Sequence, residues 1–85
     1  MVRMTTVLHT EHAIRRVLRE HGRLAVDPEE LATDTELGLT RNASLNVLLA
    51  LEGEFDVEFP DRMIRRDVLR SIGSIERALR DLIAA

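Results

Sequence analysis

Leu37-Gly38-Leu39-Thr40-Arg41-Asn42-Ala43-Ser44-Leu45-Asn46-Val47-Leu48-Leu49-Ala50-Leu51-Glu52-Gly53-Glu54 runs into Phe55-Asp56-Val57-Glu58-Phe59-Pro60-Asp61, and the fold turns on how this stretch is read. Thr40 is a hydroxyl residue just before an apolar-rich run. From there a side-chain oxygen can accept one of the orphan amides of a helix's first turn. The expectation is a helix from about Arg41 to Glu54. Leu45, Leu48, Leu49 and Ala50 are its inward candidates. Val47 and Leu51 make it apolar over more than half of its surface, which suits a central helix contacted on several sides. Pro60 then breaks the chain.

Working outward, a helix is expected on the N-terminal side, starting at Thr6 or Thr10. Ile14, Val17, Leu18 and, in register, Val7 share one face at helical spacing. Arg15, Arg16 and Arg19 fall largely off that face, and Gly22 is placed to end the helix in the left-handed conformation. Residues 23–40 then form a long connection. Within it, Asp27-Pro28-Glu29-Glu30 reads as a cap, a proline at the first helical position and two acids favoured by the helix dipole. Leu24, Leu31, Leu37 and Leu39 are expected to pin this loop to the core. Beyond Pro60, Asp61 can cap a short third helix through about Arg66, with Met63 and Ile64 inward. Asp67 or Ser71 caps a last amphipathic helix carrying Ile72, Ile75, Leu79, Leu82 and Ile83. Periodicity alone therefore gives an all-α chain: three main helices, a short fourth, and a long first loop.

The 85 residues are expected to form one domain, residues 1–85, with a modest core. With no cysteine, neither disulfides nor thiolate metal sites can support it. No apolar run approaches membrane-spanning length, and Met1-Val2-Arg3-Met4-Thr5-Thr6 lacks a signal peptide's apolar stretch. A cytoplasmic protein is expected. All twelve basic residues are arginine. Residues 1–26 carry five Arg and two Glu, net +3. Residues 27–61 carry ten acids and Arg41, net −9, and residues 62–85 carry six Arg and three acids, net +3. An acidic middle between basic ends gives no coherent positive face for nucleic acid. It suits a protein that docks partners by charge.

Leu37-Gly38-Leu39, the Ala50-Leu51-Glu52 helix end, the Phe55-Asp56-Val57-Glu58-Phe59-Pro60 turn and a shorter Ser71-Ile72-Gly73 echo together resemble the acyl and peptidyl carrier protein family. The resemblance spans roughly residues 10–83 and is strongest from Leu37 to Pro60. It implies an acyl-carrier-protein-like four-helix bundle with a long loop between helices 1 and 2. Gly38-Leu39-Thr40, followed by Ala43-Ser44, is similar to free-standing carriers loaded with amino acids or other acids by adenylating ligases. In the family, a serine at the start of helix 2 carries 4'-phosphopantetheine, whose thiol holds the cargo as a thioester. That serine stands nine positions before the alanine of the Ala-Leu-Glu stretch, and counting back from Ala50 gives Arg41. A guanidinium offers no hydroxyl oxygen for a phosphodiester. Asn42 replaces the usual following leucine, and Thr40 the usual preceding aspartate. The family's helix 2 is often acidic on its exposed face. Here the outward positions are expected to include Ala43, Asn46 and Gly53, with Glu52 and Glu54 at the far end.

The resemblance implies docking to biosynthetic enzymes: an adenylating acid or amino-acid ligase and acyl- or aminoacyl-transferring enzymes. Arg41 argues against the prosthetic group at its usual position. The first alternative is a working carrier, loaded through Ser44 or derived from a serine-bearing parent. The second is a structural or regulatory subunit that borrows the fold. Ser44 more often plays the part of a small residue packed near the core. Thr40, Arg41, Asn42, Arg62, Arg65 and Arg66 are the candidate partner-binding residues, since arginine forks suit phosphate and carboxylate. Solvated arginines paired with Glu58, Asp61 or Asp67 are the plainer reading, because exposed pairs are common and individually worth roughly 0–1 kcal/mol. His9 and His12 stand three apart, but a third ligand would have to be Glu11 or a distant residue, no familiar spacing completes a metal site, and solvated histidines are the plainer reading. His21 suits the negative end of helix 1. Nothing resembles a catalytic constellation, so no enzyme is expected. A monomer is expected.

Overall fold

The computed structural model describes residues 2–60 and 67–84, with side chains from 9–60 and 67–83. Its elements are α1 (Val2–His21), a 3-10 turn (Pro28–Glu30), α2 (Arg41–Phe55) and α3 (Ile72–Ala84). The described part is all-α and matches the carrier-like arrangement of helices and long first loop. The short helix expected over residues 61–66, with Met63, Ile64 and the three arginines Arg62, Arg65 and Arg66, lies outside the described residues.

Among the described elements, α2, α3 and the 3-10 turn all pack against α1. α1 begins earlier than Thr6 or Thr10, because residues 2–9 hold neither glycine nor proline to stop the helix extending backwards. Thr10 is buried within it. Ile14, Val17 and Leu18 face the core as their spacing predicts. They meet Leu37 from the loop, Val47, Leu48 and Leu51 from α2, Phe59 from the turn, and Ile72, Ile75, Ala78 and Leu79 from α3. Leu24, Leu31 and Leu39 pack at the edge of this cluster, so the four loop leucines do pin the connection to the core. Ile83, expected inward, is 54% exposed on the last turn of α3.

Helix ends follow local chemistry, with one exception. Ser71 Oγ accepts from Ser74 N at 3.1 Å, and Ser74 Oγ accepts from Ser71 N at 3.0 Å. That reciprocal pair satisfies two amides at the start of α3. α2 ends where Asp56 adopts the left-handed conformation and its amide bonds the carbonyl of Glu52. At the end of α1 the left-handed residue is Arg23, with φ 52°, and not Gly22 as expected. Gly22 answers a different need. Its amide donates to Leu18 O at 2.8 Å, and a Cβ there would sit 2.6 Å from that oxygen.

The first loop is clamped at both ends. Arg15, expected off the apolar face, is buried instead. Its Nη1 donates to the carbonyl oxygen of Pro28 and, at 2.9 Å, to that of Leu31. A long arginine stem can lie along apolar surface while its fork meets carbonyls that a short turn leaves open. At the other end Leu37 N donates to Arg70 O and Gly73 N to Thr33 O, each at 2.8 Å. These bonds tie the loop to the start of α3, and so fix the segment that delivers the chain to α2.

Candidate functional site

The candidate site is the start of α2 and the face that runs away from it. Gly38 holds φ at +61° with no heavy atom within 4 Å of where a Cβ would sit, so it is the conformation and not the space that favours glycine there. The bend lies between Leu37 and Leu39, both turned toward the core. Thr40 follows in extended geometry and caps α2, its Oγ1 accepting from Ala43 N at 3.1 Å. The capped helix start expected from the sequence is present.

Arg41 and Asn42 are exposed on the first turn. Among the described residues, the Arg41 guanidinium has no hydrogen-bonding or ion-pair partner. A cation in the first turn also gains nothing from the helix dipole, which favours anions at that end. Ser44 lies further into the helix, half-buried, its amide donating to Thr40 O at 2.8 Å. The candidate partner-binding set is therefore only partly visible. Thr40, Arg41 and Asn42 are brought together, while Arg62, Arg65 and Arg66 lie outside the described residues.

The buried side of α2 is Ala43, Val47, Leu48 and Leu51. Two expectations are thereby corrected. Ala43, placed outward, is 1% exposed, and its small side chain lies against the core. Leu45 and Leu49, placed inward, are each 57% exposed. A helix apolar over more than half its surface does not announce which part faces the core, and the expected face was rotated. The open side is formed by Asn42, Leu45, Asn46, Leu49 and Gly53, none of them charged. The two acids at its far end are engaged within the fold. Glu52 Oε2 accepts the amide of Phe59 at 2.8 Å, and Glu54 pairs with Arg16 at 2.7 Å.

Electrostatics are sharpest away from this face. Asp27 Oδ1 accepts from Glu29 N and from Arg19 Nη2, each at 2.9 Å. The backbone amide first, and the guanidinium second, hold the Asp27 carboxyl below its ordinary value of 3.8. Glu11, weighed as a third ligand for His9 and His12, lies instead 3.7 Å from Arg15. Among the described residues no group of three His, Asp or Glu side chains is placed to hold a metal ion. No described helix is long and apolar enough to cross a membrane.

No protein-family model matches the chain. An aminoacyl carrier protein of Agrobacterium fabrum is 36% identical over 66 residues, covering 74% of this chain and 80% of the relative. Among solved structures, the crystal structure of an engineered Bradyrhizobium japonicum glycine:[carrier protein] ligase complexed with carrier protein from Agrobacterium tumefaciens and ATP contains a similar chain. The TM-score is 0.81 at 33% identity, with 85% of this chain and 97% of that one covered. The corresponding complex with AMP gives 0.74 at 31%, covering 88% and 99%. A solution structure of ATC2521 from Agrobacterium tumefaciens gives 0.68 at 31%, covering 87% and 93%. The described helices, the capped start of α2 and these likenesses agree: the chain belongs to the acyl/aminoacyl carrier protein family.

Proposed function

We propose that the protein is a non-catalytic, carrier-like docking partner of an amino-acid-activating ligase in a cytoplasmic biosynthetic pathway, and that it holds no phosphopantetheine arm in this form. The observation that carries the reading is an exposed Arg41 at the capped start of α2 in a chain of this family. Attachment of the arm requires an oxygen nucleophile to take up the phosphopantetheinyl group of coenzyme A, with adenosine 3',5'-bisphosphate as the leaving group. A guanidinium stays protonated and has donors only. The residue at the attachment position therefore does not fit the prosthetic group, and no acyl-transfer step is derived through it. The surrounding structure supports docking all the same: the loop is clamped, the cap is made and the face beyond is open. The relatives' complexes with a glycine:[carrier protein] ligase give the partner class.

The test is intact-mass analysis after incubation with coenzyme A and a broad phosphopantetheinyl transferase. The protein is expected to gain no mass. Arg41→Ser is expected to gain one arm, mapped to residue 41. An adduct on Ser44 of the unaltered protein would overturn the reading in favour of a working carrier. A folded Arg41→Ser variant that refuses the arm would show that Asn42 or the neutral α2 face has also left the carrier role.

A further inference from the structure

We infer that the protein acts as a competitive antagonist of carrier loading, occupying the acceptor face of a glycine:[carrier protein]-type ligase through the exposed leucine strip of α2. The inference rests on the docking reading above and extends it from partner to consequence. An arm attached at the start of α2 can enter a ligase only if that end of the helix meets the enzyme. The same surface must therefore be presented whether or not an arm is there. In this chain the capped start of α2 and an open face beyond it are present, and the arm's anchor is not. A ligase that accepts it is held in a complex from which no thioester can leave.

The strip has the chemistry for such a contact. Arg41, Leu45 and Leu49 follow one another at four-residue spacing, which lays them in a slowly winding row along one side of α2. Asn42, Asn46 and Gly53 flank the two leucines. Each leucine keeps 57% of its surface open, whereas Val47 and Leu51 on the opposite side are fully buried. Covering the leucines removes apolar surface from water. The charge in the row is that of Arg41 at its head, while Glu52 accepts the Phe59 amide and Glu54 pairs with Arg16 at an exposed position on another side of the helix. Arg41 stands at the head of the row. Its side chain is far shorter than a phosphopantetheine arm, so it blocks the entry point without reaching the activated amino acid.

The experiment uses the Bradyrhizobium japonicum glycine:[carrier protein] ligase, the loadable Agrobacterium carrier and the full chain as competitor. Direct binding to the ligase is measured by calorimetry. Glycine transfer to the loadable carrier is then followed at rising competitor. The expected result is an apparent KM for the carrier that rises about tenfold when the competitor is at roughly ten times its dissociation constant, with kcat unchanged. Glycine-dependent ATP–pyrophosphate exchange, which needs no carrier, is expected to stay as it was. Leu45→Glu with Leu49→Glu should abolish both binding and inhibition while leaving the helical circular dichroism intact. Absence of binding overturns both the docking reading and the antagonism. Binding without a change in KM leaves docking standing and overturns the antagonism alone. Inhibition that survives the double leucine variant overturns the strip as the contact.

Discussion

Asp27 does two jobs with one carboxylate, and its ionisation should be visible in the protein's acid stability. It caps the 3-10 turn through Glu29 N and pairs with Arg19 across to α1. Both partners favour the charged form, so the folded-state value lies below that of the unfolded chain. A carboxyl depressed in this way contributes stability above its unfolded value near 3.8, and that contribution is lost as pH falls through the folded value. Asp27→Ala should therefore lower the melting temperature at neutral pH and converge with the parent in acid. Melting curves between pH 7 and pH 2 check this. A deficit that persists undiminished at the acid end would show that the cap, and not the charge, is what matters. The same scale shows where sequence reading reaches its limit. Thr40, Asp27 and Ser71 were legible as caps because capping is local. The burial of Arg15 was not, because its carbonyl partners at Pro28 and Leu31 lie thirteen and sixteen residues away. The available hint was an arginine one turn before Arg19, on the helix facing a loop whose short turn leaves carbonyls open.

At the scale of elements, the first loop is held more firmly than its length suggests. Arg15 closes one end and the backbone bonds to Arg70 and Gly73 close the other. Arg15→Met keeps most of the stem and removes every donor. Leaving two partly buried carbonyls without it should cost about 1–3 kcal/mol. Urea unfolding checks this, and an unchanged midpoint would mean that water replaces the guanidinium freely. The helices themselves were largely readable. α2 was placed within a residue at its end because Thr40 and the turn after Phe55 both carry strong local signals. Its rotation was not, since Leu45, Leu48, Leu49, Val47 and Leu51 offer more apolar surface than one core can cover. The exposed pair is both the misreading and the candidate contact. A strip that looks inward by composition yet lies open is where a partner has reason to bind.

Across the whole molecule, the alternation of basic, acidic and basic segments is partly resolved inside the fold. Arg16 meets Glu54, Arg19 meets Asp27 and Glu29, and Arg70 meets Glu36, all at exposed or half-exposed positions. Exposed pairs of this kind are screened by solvent, so they matter less for stability than for what charge is left to partners. Arg41 remains without a partner among the described residues. We propose that it acts with Arg62, Arg65 and Arg66 to steer encounter, while the leucine strip holds the complex. Replacing those last three by alanine should then slow association with the ligase and flatten its salt dependence, with little change in dissociation. Stopped-flow binding between about 0.1 M and 1 M salt spans the fall of the screening length from about 10 Å to about 3 Å. Association rates indifferent to both salt and substitution would show those arginines to be merely solvated.

Phe59 is 3% exposed, its amide is held by Glu52, and it shares this chain with one other aromatic residue, Phe55. Aromatic ring currents shift nearby methyl protons upfield, and the two phenyl rings that do so most strongly here stand four residues apart. The most strongly shifted methyl signals in a proton spectrum should then come from side chains packed against these two rings. The upfield edge of that spectrum is thus a local gauge of the seam where the end of α2 closes onto the core. It would tell a variant that has merely lost a contact from one that has let that seam open.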